Sequence, residues 1–108
     1  MRINTNLAKK IAMKSKREQK HASIIYRNGN PIAFGFNNGY QHAEEDATEF
    51  LEVYGKTKST TMLNVRLTAG GRIGLSKPCS SCMEMLKEKK FRKVIYSTNE
   101  GTFEEIYL

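Results

Sequence analysis

The chain has 108 residues, 39% of them hydrophobic, enough for one small core and little more; a single domain over 1–108 is expected, and a homo-oligomer, dimer or tetramer, would cover surface that so small a core leaves open. No apolar run approaches the ~20 residues that cross a bilayer, and no apolar stretch follows the basic N-terminus, so neither a membrane span nor a secretory leader is expected. The formal net charge is +7, and residues 1–20 carry +6 of it (Arg2, Lys9, Lys10, Lys14, Lys16, Arg17 and Lys20 against Glu18), a patch that either attracts phosphate or only solvates one face.

Ile3, Leu7 and Ile11 recur every fourth residue with Ala8 and Ala12 beside them, which predicts a helix over 3–20 with its lysines outward. His21 to Tyr26 reads as a strand, Asn28-Gly29-Asn30-Pro31 as a turn, and Ile32 to Phe36 as the partner strand of a hairpin. Asn37-Asn38-Gly39 is a loop. A second helix is expected over 42–54, with Ala43, Ala47, Phe50, Leu51 and Tyr54 on its apolar side and Gly55 as its stop. After a loop, Lys56 to Thr61, the stretch Met62 to Thr68 reads as a strand in which Leu63, Val65 and Leu67 alternate with Asn64, Arg66 and Thr68. Arg66 is read as an exposed strand residue, the alternative being that it faces a phosphate. Gly70-Gly71 and Gly74 mark turns and match no phosphate-loop pattern. Pro78 suits the first turn of a third helix running to about Lys90, with Met83, Met85 and Leu86 in the core. Lys93 to Ser97 is a fourth strand, Asn99-Glu100-Gly101 a turn, and Thr102 to Leu108 a fifth strand, antiparallel to the fourth because the connection is short. The order α-β-β-α-β-α-β-β describes an α/β fold.

Two short stretches carry chemistry: His42-Ala43-Glu44 and Pro78-Cys79-Ser80-Ser81-Cys82. The first offers an imidazole and, two residues on, a carboxylate; the second offers two thiols about one helical turn apart. His42, Cys79 and Cys82 make three ligands for Zn2+, leaving a fourth position for water, and Glu44 is free to move that water's proton. All three ligands fall at predicted helix starts, where the partial positive charge favours thiolate, and the elements between the motifs bring both starts to one sheet edge. Alternatives are a redox pair, which leaves His42 and Glu44 without a role, and a structural zinc completed by His21 or Glu44. His21 is read as a residue at the start of a strand. Two cysteines in a C-x-x-C with no leader do not suggest a disulfide scaffold, so a reducing, cytoplasmic location is expected.

With these motifs the chain resembles the cytidine deaminase superfamily, whose signature is H-x-E followed by P-C-x-x-C. Gly35-Phe36-Asn37 before His42, Ser76-Lys77-Pro78-Cys79, and Lys93-Val94-Ile95-Tyr96-Ser97-Thr98 look like the small CMP/dCMP-type deaminase domains of viral and phage genomes. The resemblance implies a three-layer α-β-α fold on a five-stranded mixed sheet, with zinc on His42, Cys79 and Cys82 and Glu44 as proton shuttle. It further implies that Asn37 touches the sugar, the Ala43 N–H meets the base carbonyl, and the Lys77 main-chain carbonyl accepts from the departing amine. Tyr40, between Asn37 and His42, is the candidate to stack on the base, the alternative being a partly buried aromatic that only fills the loop. The implied reaction is hydrolysis of a cytosine nucleoside or nucleotide to the uracil product and ammonia. The free-nucleoside branch fits the antiparallel last strands, whereas the basic N-terminal segment fits a phosphorylated substrate. A polynucleotide deaminase, tracking the backbone with that segment, is the alternative; an interaction domain that keeps zinc only for stability is a third reading.

Overall fold

Asn28 and Gly29 both take positive φ, 51° and 79°, making the two-residue turn that folds β1 (Lys20–Arg27) directly onto β2 (Asn30–Phe36). The computed structural model describes residues 3–108, the side chain of Tyr54 excepted; the parts expected for Tyr54 on a helix face and for Arg2 in the basic patch lie outside the described residues. β1 pairs antiparallel with β2 on one side and with β3 (Thr61–Leu67) on the other. A two-residue strand, β4 (Ile73–Gly74), pairs antiparallel with the end of β3, so the sheet has six strands where five were expected. Gly71, at φ 79°, and the bond from the Thr68 N–H to the Arg72 carbonyl at 2.8 Å turn the chain back onto β3. Two residues are too few to show alternation, so the sequence reads there only as a bend. β5 (Lys93–Ser97) runs parallel to β3, and β6 (Phe103–Tyr107) lies antiparallel to β5, as its short connection requires. The main path is β2-β1-β3-β5-β6.

Helices cover both faces. On one, Ala8, Ile11 and Ala12 of α1 (Thr5–Ala12) meet Ala22, Ile24, Leu63 and Val65. On the other, Ala47 and Leu51 of α2 (Ala43–Tyr54) and Leu86 of α3 (Ser80–Glu88) meet Ile25, Met62 and Val94. Neighbouring residues of one strand thus serve opposite cores, as the two-residue period dictates. Among the described residues no helix is long and apolar enough to cross a membrane.

α1 is far shorter than the 3–20 expected. Asn4 caps its start, accepting from the Leu7 N–H at 3.0 Å, and it stops at Ala12, the last residue of the apolar stripe. Beyond it Met13 is 62% exposed, and no apolar residue follows before β1. The buried Ser15 instead anchors a turn, its Oγ accepting from the Arg17 N–H at 3.2 Å, while the Lys20 ammonium donates to the carbonyls of Ser15 and Arg17. Lys14, Lys16 and Arg17 therefore belong to the loop that leads into β1 and not to a basic helix. α3 likewise ends at Glu88, before the expected Lys90, which takes a left-handed φ of 65° while the Phe91 N–H reaches back to the Leu86 carbonyl at 3.1 Å.

β2 and β3 each run antiparallel to β1 and so point the same way; α2 follows β2 directly, whereas α3 follows the short return strand β4, and the two helix starts meet where His42 and Cys79 approach each other. Gly35 sets how closely α2 approaches. A Cβ there would stand 2.3 Å from the Ala47 nitrogen and 2.8 Å from the Ala43 oxygen, so only glycine lets the first turns of α2 lie on β2. The Phe36 N–H, donating to Asp46 Oδ2 at 3.1 Å, ties the same two elements. Gly35→Ala is expected to cost about 1–3 kcal/mol, as overpacking does, read as a lower urea midpoint at an unchanged m-value. An unchanged midpoint would show that α2 can shift outward freely.

Candidate metal centre

His42 is the N-cap of α2, with extended backbone (φ −73°, ψ 158°), and its N–H donates to Glu45 Oε1 at 3.1 Å. Three successive acids fill the first turn, where the helix dipole favours them. Glu45 holds the cap, Asp46 holds the end of β2, and Glu44 turns inward and is only 7% exposed. Cys79 is the N-cap of α3, and Cys82 lies buried one turn later. Two helix starts therefore face each other across the sheet edge.

The donor atoms come together. His42 Nδ1 lies 3.4 Å from Cys82 Sγ and 3.9 Å from Cys79 Sγ, and all three donors lie within 4.8 Å of one another. A tetrahedral zinc with Zn–S of ~2.3 Å and Zn–N of ~2.0–2.1 Å implies donor separations of roughly 3.5–3.8 Å, close to the two His42–sulfur distances. The electrostatics fit too. The Ser81 hydroxyl, 3.4 Å from Cys79 Sγ, and the Cys82 N–H bring the Cys79 thiol down to about 7. Burial, and then the Glu44 carboxylate, push the Cys82 thiol well above the usual range. A cation among the three groups removes that conflict by favouring both thiolates. These three residues could hold a metal ion.

Glu44 is raised above the ordinary carboxylate range by burial, an effect opposed by its own backbone N–H, by His42 and by the Asn64 amide. That amide donates to Glu44 Oε2 at 3.0 Å. A cavity of about 310 Å³ opens above the centre, at the lower end of the sizes that take small ligands. Of the residues picked out from the sequence, Asn37, His42, Ala43, Glu44, Lys77 and Cys79 line it. Cys82 joins them from below through His42. Asn37 is already engaged: its Oδ1 accepts from the His21 N–H at 2.9 Å, and its Nδ2 donates to the Gln19 carbonyl at 2.7 Å. Tyr40 is 98% exposed and stands outside the lining.

The wall also contains Arg17, His21 and Ser76, none of which the sequence places against the substrate. Arg17 arrives because α1 ends early and the following loop passes the cavity. His21, at the second position of β1, is half-buried, and burial, then Arg66 and His42, lowers its pKa, so the ring is neutral near pH 7. In the sequence Arg17 stands out only as part of the basic N-terminal patch, His21 only as a strand start or an alternative zinc ligand, and Ser76 only within the Ser76-Lys77-Pro78-Cys79 stretch. Arg66, expected to be exposed, is only half-exposed and sits opposite His21 in the β1–β3 register.

Metal loading should show which groups hold the ion. Cys79→Ser and Cys82→Ser are each expected to lose bound zinc and to melt lower than the unaltered chain in excess zinc, because an ion bound only by the folded state stabilises it. The gap in Tm is expected to close when a chelator strips all samples. Unchanged metal content with an unchanged Tm would exclude the centre.

No family model matches the chain, and no curated protein sequence matches it. Among solved structures it is similar to the 1.6 Å crystal structure of cytidine deaminase from Burkholderia pseudomallei, with a TM-score of 0.74 over 94% of this chain and 87% of that one, at 19% identity. At that identity the likeness is one of fold: the chain has an α/β fold matching that of cytidine deaminase.

Proposed function

We propose that the chain is a zinc-dependent hydrolytic deaminase of cytosine nucleosides or nucleotides, forming one deaminase domain and converting cytidine, deoxycytidine, CMP or dCMP to the uracil product and ammonia. The observation that supports this most is the placement of Glu44. It is the one carboxylate among the described residues lining the cavity, and it is buried beside a clustered His/Cys/Cys donor set. The shared fold adds support.

In this reading His42, Cys79 and Cys82 hold the ion. When bound, zinc supplies a Lewis acid that brings the pKa of water to about 7. Glu44 takes a proton from the water that adds to the amine-bearing carbon of cytosine. It then hands a proton to the amine, which leaves as ammonia past the Lys77 main-chain carbonyl. The Ala43 N–H, in the first turn of α2, has no partner within the helix and is available to the base carbonyl. Asn37 reaches the sugar only by exchanging one of its present bonds, and Tyr40 must fold out of solvent to stack on the base. Arg17 and Lys77 place two cations in the cavity wall, which supports a phosphate on the substrate. Lys14 and Lys16, exposed next to Arg17, favour the second reading, a polynucleotide deaminase. A dimer or tetramer in the cytoplasm belongs to the proposal, and light scattering tests the assembly.

Zinc-replete protein is expected to release ammonia from at least one of cytidine, dCMP and single-stranded DNA; no release from any cytosine substrate contradicts the reading. Activity on the polymer should fall steeply as salt rises, far more than activity on a mononucleotide. Glu44→Gln is expected to lower kcat by roughly 10²–10⁴-fold while the metal stays bound. Loss of metal together with turnover would make Glu44 a ligand.

A further inference from the structure

Asn64 lies on β3 in the middle of the sheet, 3% exposed, on the same face as the core residue Met62. A buried amide costs free energy there that a valine or leucine would not, unless its polar atoms are matched. They are matched, and the matching leads into the site. On β1, Ser23 stands directly opposite Asn64 in register, with its Oγ 2.7 Å from Asn64 Oδ1. Asn64 Nδ2 donates to Glu44 Oε2 at 3.0 Å and lies 3.4 Å from the Ser76 carbonyl oxygen. The Ser76 hydroxyl returns a bond to the Asn64 carbonyl at 2.8 Å. Two acceptors on the nitrogen side and a hydroxyl on the oxygen side leave the amide one orientation.

Resting on the deaminase reading above, we infer that Asn64 is a positioning residue for the Glu44 carboxylate. An amide N–H can only donate, so Oε2 is kept as an acceptor and the proton carried in the reaction belongs on Oε1. Ser23 clamps the amide, the amide clamps Oε2, and the carboxylate keeps one rotamer through both proton transfers. Ser76 ties the same amide to the segment that leads to Cys79. Asn64 touches neither the substrate nor the donor set, so its loss acts on the chemical step and not on binding.

Asn64→Leu keeps the approximate volume and removes the donor. It is expected to lower kcat by about 10–100-fold, the usual effect of removing a partner that orients an active group. KM should stay within about twofold and the metal content should be unchanged. Ser23→Ala leaves Glu44 and Asn64 in place but frees the amide; a smaller fall in kcat at unchanged KM is expected, and it serves if Asn64→Leu fails to fold. A double-mutant cycle read by Tm tests the contact without turnover. Asn64→Asp sets two carboxylates against each other and should melt lower; adding Glu44→Gln restores a donor–acceptor pair with the roles exchanged and should recover most of the loss. Unchanged kcat in both Asn64→Leu and Ser23→Ala, or additive Tm changes in the cycle, overturns the inference while wild-type turnover leaves the deaminase reading standing. A wild-type chain that releases no ammonia defeats that reading and the inference with it.

Discussion

His42 and Cys79 are 37 residues apart in the chain, yet the imidazole and the two sulfurs sit close enough to share one ion. That proximity depends on two helix N-termini reaching the same sheet edge at close range. Topology supplies the edge: α2 follows β2 directly, and the return strand β4 leads the chain from the end of β3 back towards Cys79. Gly35 supplies the range: with no Cβ in the way, α2 lies against β2, and Asp46 holds the end of β2 through the Phe36 N–H. A wider spacing of α2 would carry His42 and Glu44 away from the cysteines together.

The same convergence creates an electrostatic problem that a cation resolves. Helix starts favour negative charge and the Cys79 thiol is brought down to about 7, yet burial pushes both the Cys82 thiol and the Glu44 carboxyl up. Polar groups beneath the site keep these charges in register with the sheet. Ser23, Asn64 and Glu44 form one line, and Ser76 and Ser97, with hydroxyls 2.8 Å apart, form another that ends on the Gly74 carbonyl at 2.7 Å. β4 is thereby joined to the site, since Ser97 Oγ binds the carbonyl of a residue in that short strand. A core built only for stability would fill these positions with apolar side chains.

The parts legible in the sequence are those set by local chemistry. The Asn28-Gly29 turn, the strand at Lys93–Ser97 and the helix starts near His42 and Cys79 follow from turn propensity, apolar periodicity and the proline before Cys79. Lengths set by tertiary packing were not legible. α1 ends where its apolar stripe ends, but nothing in the lysine-rich stretch forbids more helix, and the early stop is what brings Arg17 to the cavity. Asn64 misled for a different reason. Alternation of Leu63, Val65 and Leu67 with polar neighbours reads as a strand with one wet face, yet β3 is central and covered by helices on both sides, so its polar residue points into a second core. A buried polar residue on a central strand is the signal to look for, and only the strand order reveals it.

X-ray absorption at the zinc edge of the loaded protein tests the central claim, that this donor set holds the metal, most directly. Two sulfur scatterers at about 2.3 Å with a nitrogen or oxygen shell near 2.0–2.1 Å, including an imidazole, is the expected spectrum. A spectrum with no sulfur shell, or protein that takes up no zinc, would contradict it.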